Sequence, residues 1–210
     1  MGGATLAAFI NGSAGGAGAG VYDYSTPGTG FVAIPSGATG VTIEVWGAGG
    51  GGGYGYVGFI APMEPEIFAG GGGGGGGYSK TVLVLSGGDA LKTINYTVGS
   101  GGAGATSSTL DGSYGTFSNV YSGTYTITTM TSNPGGGGTY GSYPVQGPGG
   151  TASGGNTTNT TGNGGAAYDP TGAAGIVGDD SLTAGAGGNG GYFYDGDPGQ
   201  AGRVRMVFTF

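Results

Sequence analysis

Apolar and polar residues alternate along several stretches of this chain. Val41, Ile43 and Val45 alternate with Thr42, Glu44 and Trp46. That two-residue period marks a strand with one buried face. Residues 78–85 (YSKTVLVL) and 91–98 (LKTINYTV) carry the same signature, with Ile94, Tyr96 and Val98 on one side. Residues 31–34 form a short apolar run before the turn signal Pro35-Ser36-Gly37, so a hairpin is expected between 31–34 and 41–46. A second hairpin is expected between 78–85 and 91–98, across Ser86-Gly87-Gly88-Asp89. Residues 116–131, rich in Thr, Tyr and Val, suggest one or two further strands. The chain closes on RVRMVFTF at 203–210, where Val204, Met206, Phe208 and Phe210 share a face, and such a terminal strand tucks into a sheet. A helical period of 3.6 residues is sustained nowhere. The pattern predicts an all-β protein built on a small antiparallel β-sandwich.

Glycine-rich segments separate these strands. Gly70–Gly77 and 135–138 are unbroken glycine runs, and 47–53, 99–104, 147–155 and 185–191 are glycine-rich. From 133 to 191 no strand is expected. Collagen is excluded, because no G-X-Y register is sustained and there are only nine Pro. Two states remain: flexible coil, or a bundle of extended three-fold helices of the polyglycine II (polyproline II-like) type. In such a bundle the missing Cβ lets neighbouring backbones approach and bond to one another. The requirement that buried N–H and C=O groups find partners favours the packed bundle.

Composition sharpens the choice. Glycine accounts for 60 of 210 residues, about four times average usage. Charged residues are 7% of the chain, yet 14 Tyr, 8 Phe and one Trp are present. Disordered chains are poor in aromatics and rich in charge. An ordered glycine also costs about 0.5–1 kcal/mol more than alanine. Dense backbone hydrogen bonding, or burial of the glycine strands, must therefore offset that cost.

The net charge of −7 and the four basic residues Lys80, Lys92, Arg203 and Arg205 exclude a nucleic-acid partner, which needs a cluster of cations. An anionic membrane surface is disfavoured for the same reason. There are no Cys and no His, so disulfides, Cys/His zinc sites and His- or Cys-based nucleophilic catalysis are out of reach. The start at Met1 lacks a basic region and the apolar stretch at 6–10 is short, so neither a secretory signal nor a transmembrane helix is expected. The carboxylate pairs Glu64/Glu66, Asp179/Asp180 and Asp195/Asp197 are expected to be solvated loop acids rather than a glycosidase pair. Full calcium-loop spacing is absent around Asp195 and Asp197, so no metal and no cofactor is expected, and no enzymatic activity.

The motif FVAIPSGATGVTIEVWGAGGGGG at 31–53 resembles the opening of glycine-rich domains in bacteriophage tail-fibre and adhesin-like proteins. GGGGGGGYSKTVLVL at 71–85, YTVGSGGAGA at 96–105 and the closing GQAGRVRMVFTF are similar to later parts of the same pattern. The resemblance spans roughly 30–210, with residues 1–30 left as a flexible arm or attachment segment. It implies a virion-surface protein that binds a host receptor, either a surface glycan or an outer-membrane protein. The alternative is a structural or decorating protein with the glycine lattice as a rigid spacer. An ice- or surface-binding role ranks below both. Other virion proteins and further copies of the chain, as a homotrimer covering the open sheet edges, are the expected partners. Aromatics in the glycine-supported loops are the candidate receptor contacts, since rings on rigid supports stack on sugars or fill protein pockets. They are Tyr54, Tyr56, Phe59 and Phe68; Tyr140 and Tyr143; and Tyr192, Phe193 and Tyr194.

Overall fold

A computed structural model describes residues 20–60, 64–140, 145–165, 184–191 and 194–210. Two five-stranded antiparallel sheets face each other as a sandwich. The first has the order β1 (Gly20–Tyr24), β12 (Arg203–Thr209), β3 (Gly40–Trp46), β6 (Tyr78–Val84), β11 (Thr158–Thr160). The second runs β10 (Ala152–Ser153), β9 (Met130–Ser132), β8 (Ser118–Ser122), β7 (Thr93–Val98), β2 (Gly28–Ala33). A separate two-stranded ribbon joins β4 (Tyr56–Ile60) to β5 (Glu64–Phe68).

The alternation read from the sequence places the core. Val41, Ile43 and Val45 of β3 and Val204, Met206 and Phe208 of β12 are fully buried. They face Val32, Ile94, Val98, Val120 and Met130 of the other sheet. Phe210 breaks the pattern and is 56% exposed, because β12 ends at Thr209. The terminal strand lies between β1 and β3 and is hydrogen-bonded on both sides.

Neither expected hairpin forms. β2 and β3 lie in opposite sheets, as do β6 and β7. The intervening residues are corners that cross the sandwich. Ile34 and Leu85 turn inward there and are buried, and their backbones are tied across the corner by Ile34 N–H to Lys92 O, Leu91 N–H to Ile34 O and Leu85 N–H to Thr39 O. An apolar residue at each end of the turn drives this crossing, since a hairpin would leave it at the sheet margin. The second corner holds a one-turn 3-10 helix, Gly87–Asp89. Hydrogen bonds from Lys92 and Ser86 hold the Asp89 carboxyl down at about 2. The short strands β10 and β11 were not legible in the Gly/Asn/Thr-rich stretch. Beside β11, the Asn156 side-chain amide bonds both the N–H and the C=O of Val82 and stands in for a strand residue. Among the described residues β1 starts at Gly20, so residues 20–30 contribute β1 and the start of β2.

The glycine segments form a packed lattice with a three-residue repeat. Residues 47–55 are its axis. Gly47, Gly50 and Gly53 donate to the carbonyls of Gly77, Gly74 and Gly71. Ala48, Gly51 and Tyr54 donate to Thr116, Ser113 and Leu110. Gly49, Gly52 and Gly55 donate to Gln200, Asp197 and Tyr194. In the other direction, Ala48 and Gly51 accept from Gly135 and Gly138, Gly49 and Gly52 from Gly102 and Ala105, and Gly50 and Gly53 from Gly188 and Gly191. The axial segment is thus ringed by six others. The three it donates to run antiparallel, and the three it accepts from run parallel. This is the hydrogen-bonded bundle of three-fold helices that backbone accounting demands. At about 3.1 Å per residue, the nine positions 47–55 span about 28 Å.

Candidate functional site

The axial segment leaves the sandwich directly after Trp46, and its neighbours shuttle between the sandwich and a far pole. Among the described residues, the pole gathers the β4–β5 ribbon, the turn at 106–111, the segment ends at Thr139–Tyr140 and Val145, and those at Gly191 and Tyr194. The glycine segments fix where these parts stand. Tyr54 N–H bonds to Leu110 O at 2.9 Å and Gly55 N–H to Tyr194 O at 3.3 Å. Thr139 N–H donates to Val145 O at 3.0 Å, and Val145 N–H donates to the Thr139 hydroxyl at 2.8 Å, which ties these two residues to each other.

Rings gather on this frame. Tyr56 and Phe68 are register partners in the ribbon and stack with centroids 4.9 Å apart. Tyr140 arrives from a distant segment and lies 5.0 Å from Tyr56 and 6.2 Å from Tyr54. Asp111 holds Tyr140 in place by accepting its backbone N–H at 2.8 Å. All four residues are half-buried. Two of the sequence-predicted aromatic groups therefore merge into one cluster. Tyr194 stands beside the base of the ribbon through its carbonyl and is 77% exposed. Phe59 lies in β4 opposite Pro65; its side chain lies outside the described residues, as do Tyr143, Tyr192 and Phe193.

Sequence reasoning missed other exposed apolar groups. Val145 is 60% exposed and Leu110 39%, both at the pole. Tyr114 and Phe117 are 66% and 49% exposed on the flank of the bundle. The signal for this last pair was available: in a three-fold helix, residues three apart share a side.

The pole and the sandwich differ in charge. Lys80 pairs with Glu44 at 3.8 Å, Arg205 with Glu44 at 3.2 Å, Lys92 with Asp89 at 2.8 Å, and Arg203 with Asp23. All four cations of the chain thus belong to the sandwich and its corner. Asp111 stands at the pole, with Asp195 and Asp197 in the segment leading back from it. Asp197 also accepts from the Asn189 amide at 3.1 Å. Among the described residues no group of three or more His, Cys, Asp or Glu is placed to hold a metal ion.

A junction joins the two halves. Trp46 and Tyr78 are buried on the outer face of the first sheet, with centroids 5.1 Å apart. The Arg203 guanidinium lies 5.3 Å over the indole, and Ala184 packs on the pair. Trp46 is the last strand residue before the axial glycine segment, so it anchors that segment where it leaves the sheet. The glycine-rich domain family model matches residues 25–207, from just after β1 to two residues before the end of β12. The chain belongs to the glycine-rich domain family. The matched span takes in most of the sandwich and the whole described lattice, so both are parts of one glycine-rich domain. No curated protein matches the chain.

Proposed function

We propose that this glycine-rich domain is a virion-surface, tail-fibre or adhesin-like protein that displays an aromatic pole to a host receptor and catalyses no reaction. One observation carries the proposal: Tyr54, Tyr56, Phe68 and Tyr140, drawn from separate segments, converge at the end of a rigid bundle remote from the sandwich. Half-buried tyrosines on a stiff support lose little side-chain entropy on binding. The carboxylates near the pole, with every cation held in the sandwich, argue against a phosphate-rich surface. A neutral glycan or an outer-membrane protein loop is the matching class of receptor.

Electron cryo-microscopy of the native particle tests this. A few copies at a tail end, with the tyrosine pole outward, are expected. Many copies on a lattice with the pole buried against a neighbour would replace the receptor role with that of a decorating spacer. In the particle, Tyr56→Ala combined with Tyr140→Ala should reduce adsorption at least tenfold, while the melting transition keeps its cooperativity.

A further inference from the structure

The outer face of the first sheet carries its side chains in rows that cross four strands. In register, Asp23 of β1, Arg205 of β12, Glu44 of β3 and Lys80 of β6 stand side by side. Their charges alternate minus, plus, minus, plus. One step further from the bundle, Val21, Val207, Thr42 and Val82 form a second row, all β-branched. Val21 and Val82 are each 49% exposed, and Val84, beyond them on β6, is 88% exposed. Toward the bundle the third row, Arg203, Trp46 and Tyr78, is covered by Ala184 in part.

We propose that two copies of this chain pair through the charged and valine rows, sheet against sheet, with their bundles side by side and their poles pointing the same way. The charge order decides the partner and its direction. A two-fold axis parallel to the strands sets β1 against β6 of the second copy, and β12 against its β3. Asp23, bonded to Arg203 within its own chain, then also faces Lys80 of the second copy, and Arg205 faces its Glu44, a mostly covered carboxylate that already pairs with Arg205 and Lys80 of its own chain. The same operation lays Val21 on Val82 of the second copy, and Val207 on its Thr42. A two-fold axis across the strands instead sets each charge against its own kind and reverses the poles. Like charges in contact are strongly disfavoured at an interface, so the ladder selects the parallel pair. Such an isologous contact closes on itself and forms no fibre.

The two rows and the Val84 margin cover only about 400 Å² per copy, from strand spacings of about 4.8 Å and rises of about 3.4 Å. That is below the size of a standard stable interface, so pairing is weak in dilute solution and strengthened where copies are held together. The proposal rests on the sandwich alone, independently of the receptor role.

A charge swap tests it by sedimentation equilibrium, across about 10 µM to 1 mM at low salt. The unaltered chain should rise reversibly toward the mass of two copies, and added salt should oppose this. Lys80→Glu should weaken pairing about tenfold or more by opposing Asp23 of the second copy. Asp23→Lys should do the same by opposing its Lys80. The two together should restore pairing. Asp23 and Lys80 are three strands apart within one chain, about 14 Å, so such a rescue reports a contact between copies. A chain that stays monomeric at 1 mM, a limiting mass of three copies through the sheet edges, or a double variant no better than the single ones would overturn the proposal. If either charge variant fails to fold, Val21→Cys and Val82→Cys keep the question open to test, since the natural chain has no Cys. A short bis-maleimide should join the two variants when mixed and neither variant to itself. A Val21-to-Val21 product would overturn the parallel arrangement.

Discussion

The sandwich and the glycine lattice solve the same problem with opposite chemistry. In the sandwich, side chains do the work: Trp46, Phe208, Ile43, Met206 and Ile94 are removed from water, and apolar burial contributes about 25 cal/mol per Å². In the lattice the side chain is what must be missing. A Cβ on Gly49, Gly50, Gly51 or Gly52 would come under 3.0 Å from backbone atoms of Ala186, Gly136, Ala103 or Asn189. Backbone cannot step aside as a flexible side chain can. Cohesion there comes from N–H···O=C bonds in three directions, each worth only about 0.5–1.5 kcal/mol net but repeated at every residue. A sandwich core tolerates exchange among apolar residues of similar volume. The lattice admits only glycine at positions such as Gly49–Gly52, while the fully buried Ala48 and Ala105 mark places where a methyl group fits.

The sharpest way to break this contrast is Gly51→Ala. The added methyl meets the Ala103 carbonyl, and overpacking against backbone should cost about 3 kcal/mol or more. Thermal unfolding should show either a large drop in Tm or loss of the folded state. Gly87→Ala is the control, because nothing lies within 4 Å of its Cβ, and its Tm should be unchanged. A null result at Gly51 would mean that the lattice is not close-packed. Next in size is Phe208→Ala in the sandwich, expected to cost about 3–5 kcal/mol through cavity formation and read by denaturant midpoint. It should leave hydrogen-exchange protection in 70–77 above that of a coil if the lattice holds by its own bonds.

A smaller effect of opposite sign is expected at Leu91. This chain of 60 glycines places a leucine at φ 67°, 75% exposed, at a corner of the sandwich. The left-handed conformation costs a non-glycine residue about 1–2 kcal/mol. Leu91→Gly should therefore raise stability by up to about 1 kcal/mol, the gain reduced by the greater freedom of glycine when unfolded. Last is a pH effect confined to the sandwich margin. Tyr24 stacks on Tyr96 at 4.2 Å, and burial, then Tyr96, push its phenol up to about 12. The folded value lies above the ordinary 10, so this contribution is complete below pH 10 and drains away as pH rises from 10 to 12. Denaturation midpoints at pH 9 and pH 11.5 should differ less in Tyr24→Phe than in the natural chain.

How much of this was legible followed from which group carries the information. Strands β3, β6, β7 and β12 were visible because alternating Val, Ile, Met and Phe record burial directly. The crossings at Ile34 and Leu85 were not, because a turn signal gives the change of direction without saying which sheet receives the chain. Strands β10 and β11 were hidden because backbone pairing and the Asn156 amide hold them, not an apolar face. The lattice could be argued from hydrogen-bond accounting. Its neighbours could not, since one glycine run carries nothing to distinguish it from another. For the same reason the meeting of Tyr140 with Tyr56 was out of reach, although each tyrosine had been singled out.

The three-way bonding of residues 47–55 also sets a rule for how such a chain can change its length. Successive N–H groups point to three different neighbours in rotation. Inserting one residue turns every later donor toward the wrong neighbour, and inserting two does the same in the opposite sense. Only steps of three, matched in the surrounding segments, lengthen the bundle without changing its pairings. The connections at the pole obey no such arithmetic. Evolution, or a designer, can therefore vary the pole in single residues while the shaft beneath it grows or shrinks in whole turns.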